Sequence, residues 1–129
     1  MEYVLIVEDQ ASDIRLAADL ALSLGASKVE GRNSASAAIA YLQSALEDKV
    51  PIPDVLILDL DLGYESGFEL LRFWHANPKL ASTRVVVWTI MGEEQREICR
   101  LFKVDAIVSK SEGLMALKRA LEPRAQVVS

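Results

Sequence analysis

With 129 residues, 51% of them hydrophobic and 26% charged, the chain has the size of one compact domain and a composition that excludes intrinsic disorder. One cysteine, Cys99, excludes an intrachain disulfide framework, and a formal net charge of −5 argues against nonspecific nucleic-acid binding. The opening MEYVLIVEDQ lacks the basic start of a signal peptide, and no apolar run nears the roughly eighteen residues of a membrane span, so the expectation is a soluble, cytoplasmic, single domain over 1–129 with no membrane partner.

Tyr3–Val7 is a continuous apolar run, the pattern of a strand buried on both faces. Ser12 or Asp13 can cap a helix reaching Leu24, with Leu16, Leu20 and Leu24 on one stripe and Gly25 to end it. Residues 27–31 form a shorter strand candidate. A second helix follows Ser34 and turns Ile39, Leu42 and Leu46 inward. After a loop over 47–53, Val55–Leu58 is a third apolar strand. Ser66-Gly67-Phe68-Glu69 reads as the capping box of a third helix, which stops at Asn77-Pro78 because proline disfavours helix in the residue before it. Residues 85–88 make a fourth strand. Glu93 to about Lys103 makes a fourth helix with Ile98, Leu101 and Phe102 on its apolar side. Residues 106–108 give a fifth strand, and Ser111 caps a fifth helix carrying Leu114, Leu117 and Leu121. The stretch 123–129 reads as a frayed tail, leaving a core over about 3–122.

Strict alternation of strand and helix predicts an α/β fold, a doubly wound (βα)5 parallel sheet covered on both faces. The informative polar residues fall at the strand ends: Glu8-Asp9 after the first, Asp59 and then Asp61 after the third, Thr89 after the fourth, Lys110 after the fifth. In such a sheet, ligands bind beyond the carboxyl ends of the strands where the strand order reverses. The order 2-1-3-4-5 would set the first and third strands side by side and bring Glu8, Asp9 and Asp59 together. Three clustered carboxylates repel one another unless a cation is present, and oxygen ligands without His or Cys select Mg2+. A hydroxyl from Thr89 and an ammonium from Lys110 suit two oxygens of a phosphoryl group, and an aspartate beside a bound cation can act as its nucleophile. Taken singly, each residue has a structural explanation. Their joint placement at the ends of alternating elements points to a phosphoryl acceptor.

The segments VLIVEDQ, DVLILDLDLGYESGFELL, VVVWT and IVSK, in that order, resemble the CheY-like receiver domain of two-component response regulators across essentially the whole chain. The resemblance implies a flavodoxin-like fold and a phosphorelay in which a sensor histidine kinase or histidine phosphotransfer protein phosphorylates Asp59. It also implies that Mg2+ is held by Asp9, Asp59 and the backbone carbonyl of Asp61, with Glu8 acting through water. Thr89 would then swing toward the phosphoryl group and Lys110 would pair with it. Gly67 falls at the family's usual glycine. VEDQASDIRL and the Asn77-Pro78 loop further resemble single-domain regulators paired with bacterial phytochromes.

Several positions depart from the family pattern. Gly63 replaces a common Pro, and Ser66 replaces a frequent Asp. Ile90 follows Thr89 where a small residue is usual, which implies narrower access and slower phosphotransfer or hydrolysis. Ile107 stands where an aromatic switch residue is frequent, and Ser111 stands where a Pro often imposes a cis peptide. His75 reads as a helix-surface residue, Cys99 as a packed thiol and Trp88 as a packing residue able to report on the site. Arg96, Arg100, Lys103, Lys118 and Arg119 read as a solvated face or as part of a homodimer surface on helix 4, strand 5 and helix 5. No output domain fits after Lys110, so the expectation is a stand-alone signalling receiver rather than an enzyme. Two alternatives stay open: a pseudo-receiver that binds partners without phosphorylation, and a haloacid-dehalogenase-like phosphohydrolase using Leu58-Asp59-Leu60-Asp61.

Overall fold

Five alternations of strand and helix set the architecture, and the computed structural model describes residues 1–90 and 93–122. In chain order the elements are β1 (Tyr3–Val7), α1 (Ala11–Ser23), β2 (Lys28–Arg32), α2 (Ala35–Leu46), β3 (Val55–Leu58), β4 (Asp61–Leu62), β5 (Glu65–Ser66), α3 (Gly67–Ala76), β6 (Arg84–Thr89), α4 (Glu93–Leu101), β7 (Ala106–Ser109) and α5 (Leu114–Leu121). Five strands pair in parallel in the order β2-β1-β3-β6-β7, while β4 and β5 form a separate two-residue antiparallel hairpin. With the hairpin set aside, this is the predicted order 2-1-3-4-5 of the flavodoxin-like fold.

Period-two alternation divides each strand between two cores. Leu5, Val7, Leu56, Leu58, Val85 and Val87 face α2, α3 and Cys99 of α4. Val4, Ile6, Val55, Ile57, Val86, Trp88 and Val108 face α1 and α5. Burying each large aliphatic side chain is worth about 1.5–3 kcal/mol, so the three central strands, buried on both faces, anchor the fold. Register then fixes the working edge. Val7 lies opposite Leu58, Leu58 opposite Val87, and Thr89 opposite Ser109. The residues that follow these pairs therefore emerge together.

The helices adjust the sequence expectations in four places. α1 is capped at Gln10 without a side-chain hydrogen bond, so neither Ser12 nor Asp13 caps it; both lie inside the first turn. Its buried face is Ala17 and Ala21, and Leu16 is 46% exposed, because the small alanines let the helix lie close on the sheet and turn the leucine outward. α4 ends at Leu101 and buries Cys99, leaving Ile98 and Leu101 exposed. At about 100° per residue, a helix that points residue 99 inward carries 98 and 101 away from the sheet. Ser111 does not cap α5. It lies in a 3-10 turn, donating its backbone N–H to the Ser109 hydroxyl, and Gly113, at φ 85°, is the cap position. Ser34 caps α2, accepting from the Ala37 amide at 3.1 Å, and Ser66 caps α3 as expected, but by accepting from the Phe68 amide at 3.1 Å rather than from that of Glu69 as a capping box requires.

Candidate functional site

The carboxyl edge of β1, β3, β6 and β7 gathers the polar strand-end residues. Glu8 is buried and Asp9 exposed at the end of β1. The Asp59 amide donates to the Val7 carbonyl at 3.0 Å, carrying the β1–β3 pairing one residue further and seating the Asp59 side chain beside Glu8. Glu8, Asp9 and Asp59 each offer a carboxylate oxygen, and these oxygens lie within 4.8 Å of one another. The set contains no nitrogen or sulfur, so it fits a hard divalent cation such as Mg2+ or Mn2+.

Asp59 is 5% exposed and both of its oxygens are engaged. Oδ1 accepts from the Asp61 amide at 3.0 Å and from the buried Thr89 hydroxyl. Oδ2 accepts from Lys110 Nζ at 3.0 Å. The same ammonium donates to Glu8 Oε2 at 2.6 Å and Asp13 Oδ2 at 2.7 Å, and it stands 4.9 Å from the Trp88 ring centroid. The structure thus brings together Glu8, Asp9, Asp59, Thr89 and Lys110, and ties Asp61 to them through its backbone. It adds Asp13, which in the sequence alone reads as a candidate helix cap. The signal was its place in the first turn of α1, directly beyond the end of β1 that carries Glu8 and Asp9.

Burial pushes the Glu8 carboxyl up to about 8, with the Lys110 hydrogen bond opposing this and the negative charge of Asp59 reinforcing it. Burial alone would pull the Lys110 ammonium down, but hydrogen bonds to Asp13, Glu8 and Asp59 outweigh it and hold the group above its usual range.

Two glycines shape the backbone around Asp59. A Cβ on Gly67 would stand 2.5 Å from the Asp59 carbonyl oxygen and 2.8 Å from Leu60 Cα, so only glycine lets α3 start there. Gly63, at φ 73°, turns the β4–β5 hairpin next to Asp9 Oδ2. The hairpin is pinned at its far side, where the Glu65 carboxylate accepts from the Ser36 amide at the start of α2.

Of the positions that depart from the family pattern, Ile90 is 78% exposed directly after Thr89, and Ile107 is half-buried against the α2–α4 core. No peptide bond among the described residues is cis. His75 is exposed on α3, edge-on to Phe102, and Cys99 is fully buried. Trp88 is buried in the α1–α5 core, and its indole N–H has no partner among the described residues.

No protein-family model matches the chain. Response regulator Rcp1 from Synechocystis sp. is 30% identical over 125 residues, covering 92% of this chain and 83% of that protein. The Mn2+-bound form of Rcp1 has a TM-score of 0.78 at 28% identity, covering 92% of this chain and 88% of that one. The phosphorylated cyanobacterial phytochrome response regulator RcpA gives 0.78 at 29% identity, covering 92% and 86%. The bacteriophytochrome response regulator AtBRR gives 0.75 at 25% identity, covering 94% and 90%. Fold, site and relatives agree on a class, the CheY-like receivers. The chain belongs to the response regulator receiver family.

Proposed function

We propose that the chain is a cytoplasmic receiver of a two-component phosphorelay that accepts a phosphoryl group on Asp59. A single arrangement carries this reading. One buried aspartate has its two oxygens bound by a hydroxyl, a backbone amide and an ammonium, beside two further carboxylates. A carboxylate oxygen of Asp59 forms the P–O bond while the P–N bond to the donor's phosphohistidine breaks, and the imidazole leaves. Asp9, Asp59, the Asp61 carbonyl and, through water, Glu8 would hold Mg2+, which supplies charge neutralisation when bound. Thr89 and Lys110 then lose their contacts with the free carboxylate and turn to the phosphoryl oxygens.

The relatives include a Mn2+-bound regulator, a phosphorylated cyanobacterial phytochrome regulator and a bacteriophytochrome regulator. They favour a metal-dependent acceptor served by a phytochrome-type histidine kinase, directly or through a phosphotransfer protein. Output passes through protein contact, with the face formed by α4, β7 and α5 as a homodimer surface. Leu101 and Met115 are exposed there, at 75% and 59%. The phosphohydrolase alternative is disfavoured by Asp61, whose exposed carboxylate accepts from the Gly63 amide and is not part of the Glu8–Asp9–Asp59 oxygen cluster.

Intact-mass measurement after incubation with Mg2+ and acetyl phosphate tests the proposal. The expected result is one added phosphoryl group, absent with EDTA and absent in Asp59→Asn. No adduct, together with no change of Trp88 fluorescence on adding beryllofluoride, would overturn it in favour of a pseudo-receiver. Ile90→Ala should speed uptake or hydrolysis in the same assay, and unchanged kinetics would remove Ile90 from the control of access.

A further inference from the structure

Lys110 has three carboxylate partners, and they are not equivalent. Glu8 and Asp59 belong to the oxygen cluster that fits a divalent cation; Asp13 does not. A cation taken up by that cluster engages two of the three carboxyl groups that hold the ammonium and sets a double positive charge against it. At a few ångströms and in a partly buried pocket, where the Lys110 side chain is 15% exposed, such like-charge repulsion is only weakly screened. A lysine held only by Glu8 and Asp59 would be driven out of the pocket just when a phosphoryl group needs it.

Asp13 supplies the anion that belongs to Lys110 alone. It sits in the first turn of α1, where the helix dipole favours negative charge, and its Oδ2 lies 2.7 Å from Nζ. The Trp88 ring, 4.9 Å from the same nitrogen, closes another side of the ammonium. We propose that Asp13 is a positioning residue, a fixed counter-ion that keeps Lys110 at the phosphoryl pocket when the metal arrives. This rests on the phosphoacceptor reading for its purpose, though the anchoring itself involves no phosphoryl chemistry.

The test has two arms on the full chain, with Asp13→Asn, Asp13→Glu, Lys110→Met and the Asp13→Asn/Lys110→Met double variant. In the first, Mg2+ alone is titrated while indole emission is followed. Mg2+ is expected to produce a larger emission change in Asp13→Asn than in the parent as Lys110 leaves the Trp88 ring, and that excess should vanish in the double variant. In the second arm, acetyl phosphate uptake is expected to fall about tenfold in Asp13→Asn. Asp13→Glu should recover part of this, and the double variant should be no slower than Lys110→Met alone. Parental uptake in Asp13→Asn, or effects of the two substitutions that simply add, would overturn the proposal. If the parent takes up no phosphoryl group, the phosphoacceptor reading fails, and the Mg2+ arm still decides whether Asp13 anchors Lys110.

Discussion

Gly67 shows how closely the acceptor backbone is packed. A methyl group there would meet the Asp59 carbonyl at 2.5 Å, against backbone that cannot swing aside as a side chain can. Gly67→Ala is therefore expected to cost about 1–3 kcal/mol, read as a lower urea midpoint, and to slow phosphoryl uptake by shifting Asp59. Parental stability would mean that α3 can retreat at no cost. Glu8 gives a pH signature. Its carboxyl is raised from 4.5 to about 8 in the fold, chiefly by burial, so the native state holds that proton more tightly than the unfolded chain. Its contribution to stability is present below about pH 4.5 and is lost as pH rises toward 8. A cation needs the ionised form, so its binding strengthens over the same window and releases a proton. Urea midpoints and Mg2+ titrations between pH 5 and 8 should show opposite trends, and Glu8→Gln should flatten both.

The β4–β5 hairpin is the element that the sequence concealed. Its strands have two residues each, too short for alternation to register, and its turn depends on Gly63 at positive φ. It is held across the molecule by Glu65, whose carboxyl lies below its usual range because the Ser36 hydroxyl and amide hydrogen-bond to it. Glu65→Ala should speed amide exchange over residues 61–66 while leaving global unfolding unchanged, and the parent should show the same loosening as pH falls far enough to protonate Glu65. Equal exchange in both proteins would mean the hairpin holds itself. The sheet itself was legible, because Tyr3–Val7 and Val55–Leu58 are too apolar to lie anywhere but the centre, and Asp59, Thr89 and Lys110 mark where it ends. Helix faces were less so. A leucine stripe outscores Ala17 and Ala21 on hydrophobicity, yet the alanines permit the closer approach, and Cys99 displaces Ile98 on α4 in the same way. Asp13 was missed because an acid at a helix start is explained locally as a cap, whereas Lys110 comes from 97 residues further along the chain.

Folding this chain concentrates charge at one end. Glu8, Asp13 and Asp59, from the end of β1, the first turn of α1 and the end of β3, meet one ammonium with Asp9 alongside, a crowding that the unfolded chain does not have. A ligand that binds only this assembled cluster must stabilise the native state. At about a hundred times its dissociation constant, a divalent cation adds roughly 2.7 kcal/mol. For a domain of this size that is a rise of roughly 5–10 °C in the unfolding midpoint, which EDTA should reverse and sodium chloride at equal ionic strength should not reproduce. Asp9→Asn and Asp59→Asn should each remove most of the rise. Lys110→Met separates the two sources of positive charge. Without metal it should unfold at a lower temperature than the parent, because three carboxylates lose their counter-ion. With Mg2+ it should recover more than the parent gains, because the cation no longer competes with an ammonium for Glu8 and Asp59. Equal gains in the two proteins would show that Lys110 and the metal do not share those carboxylates.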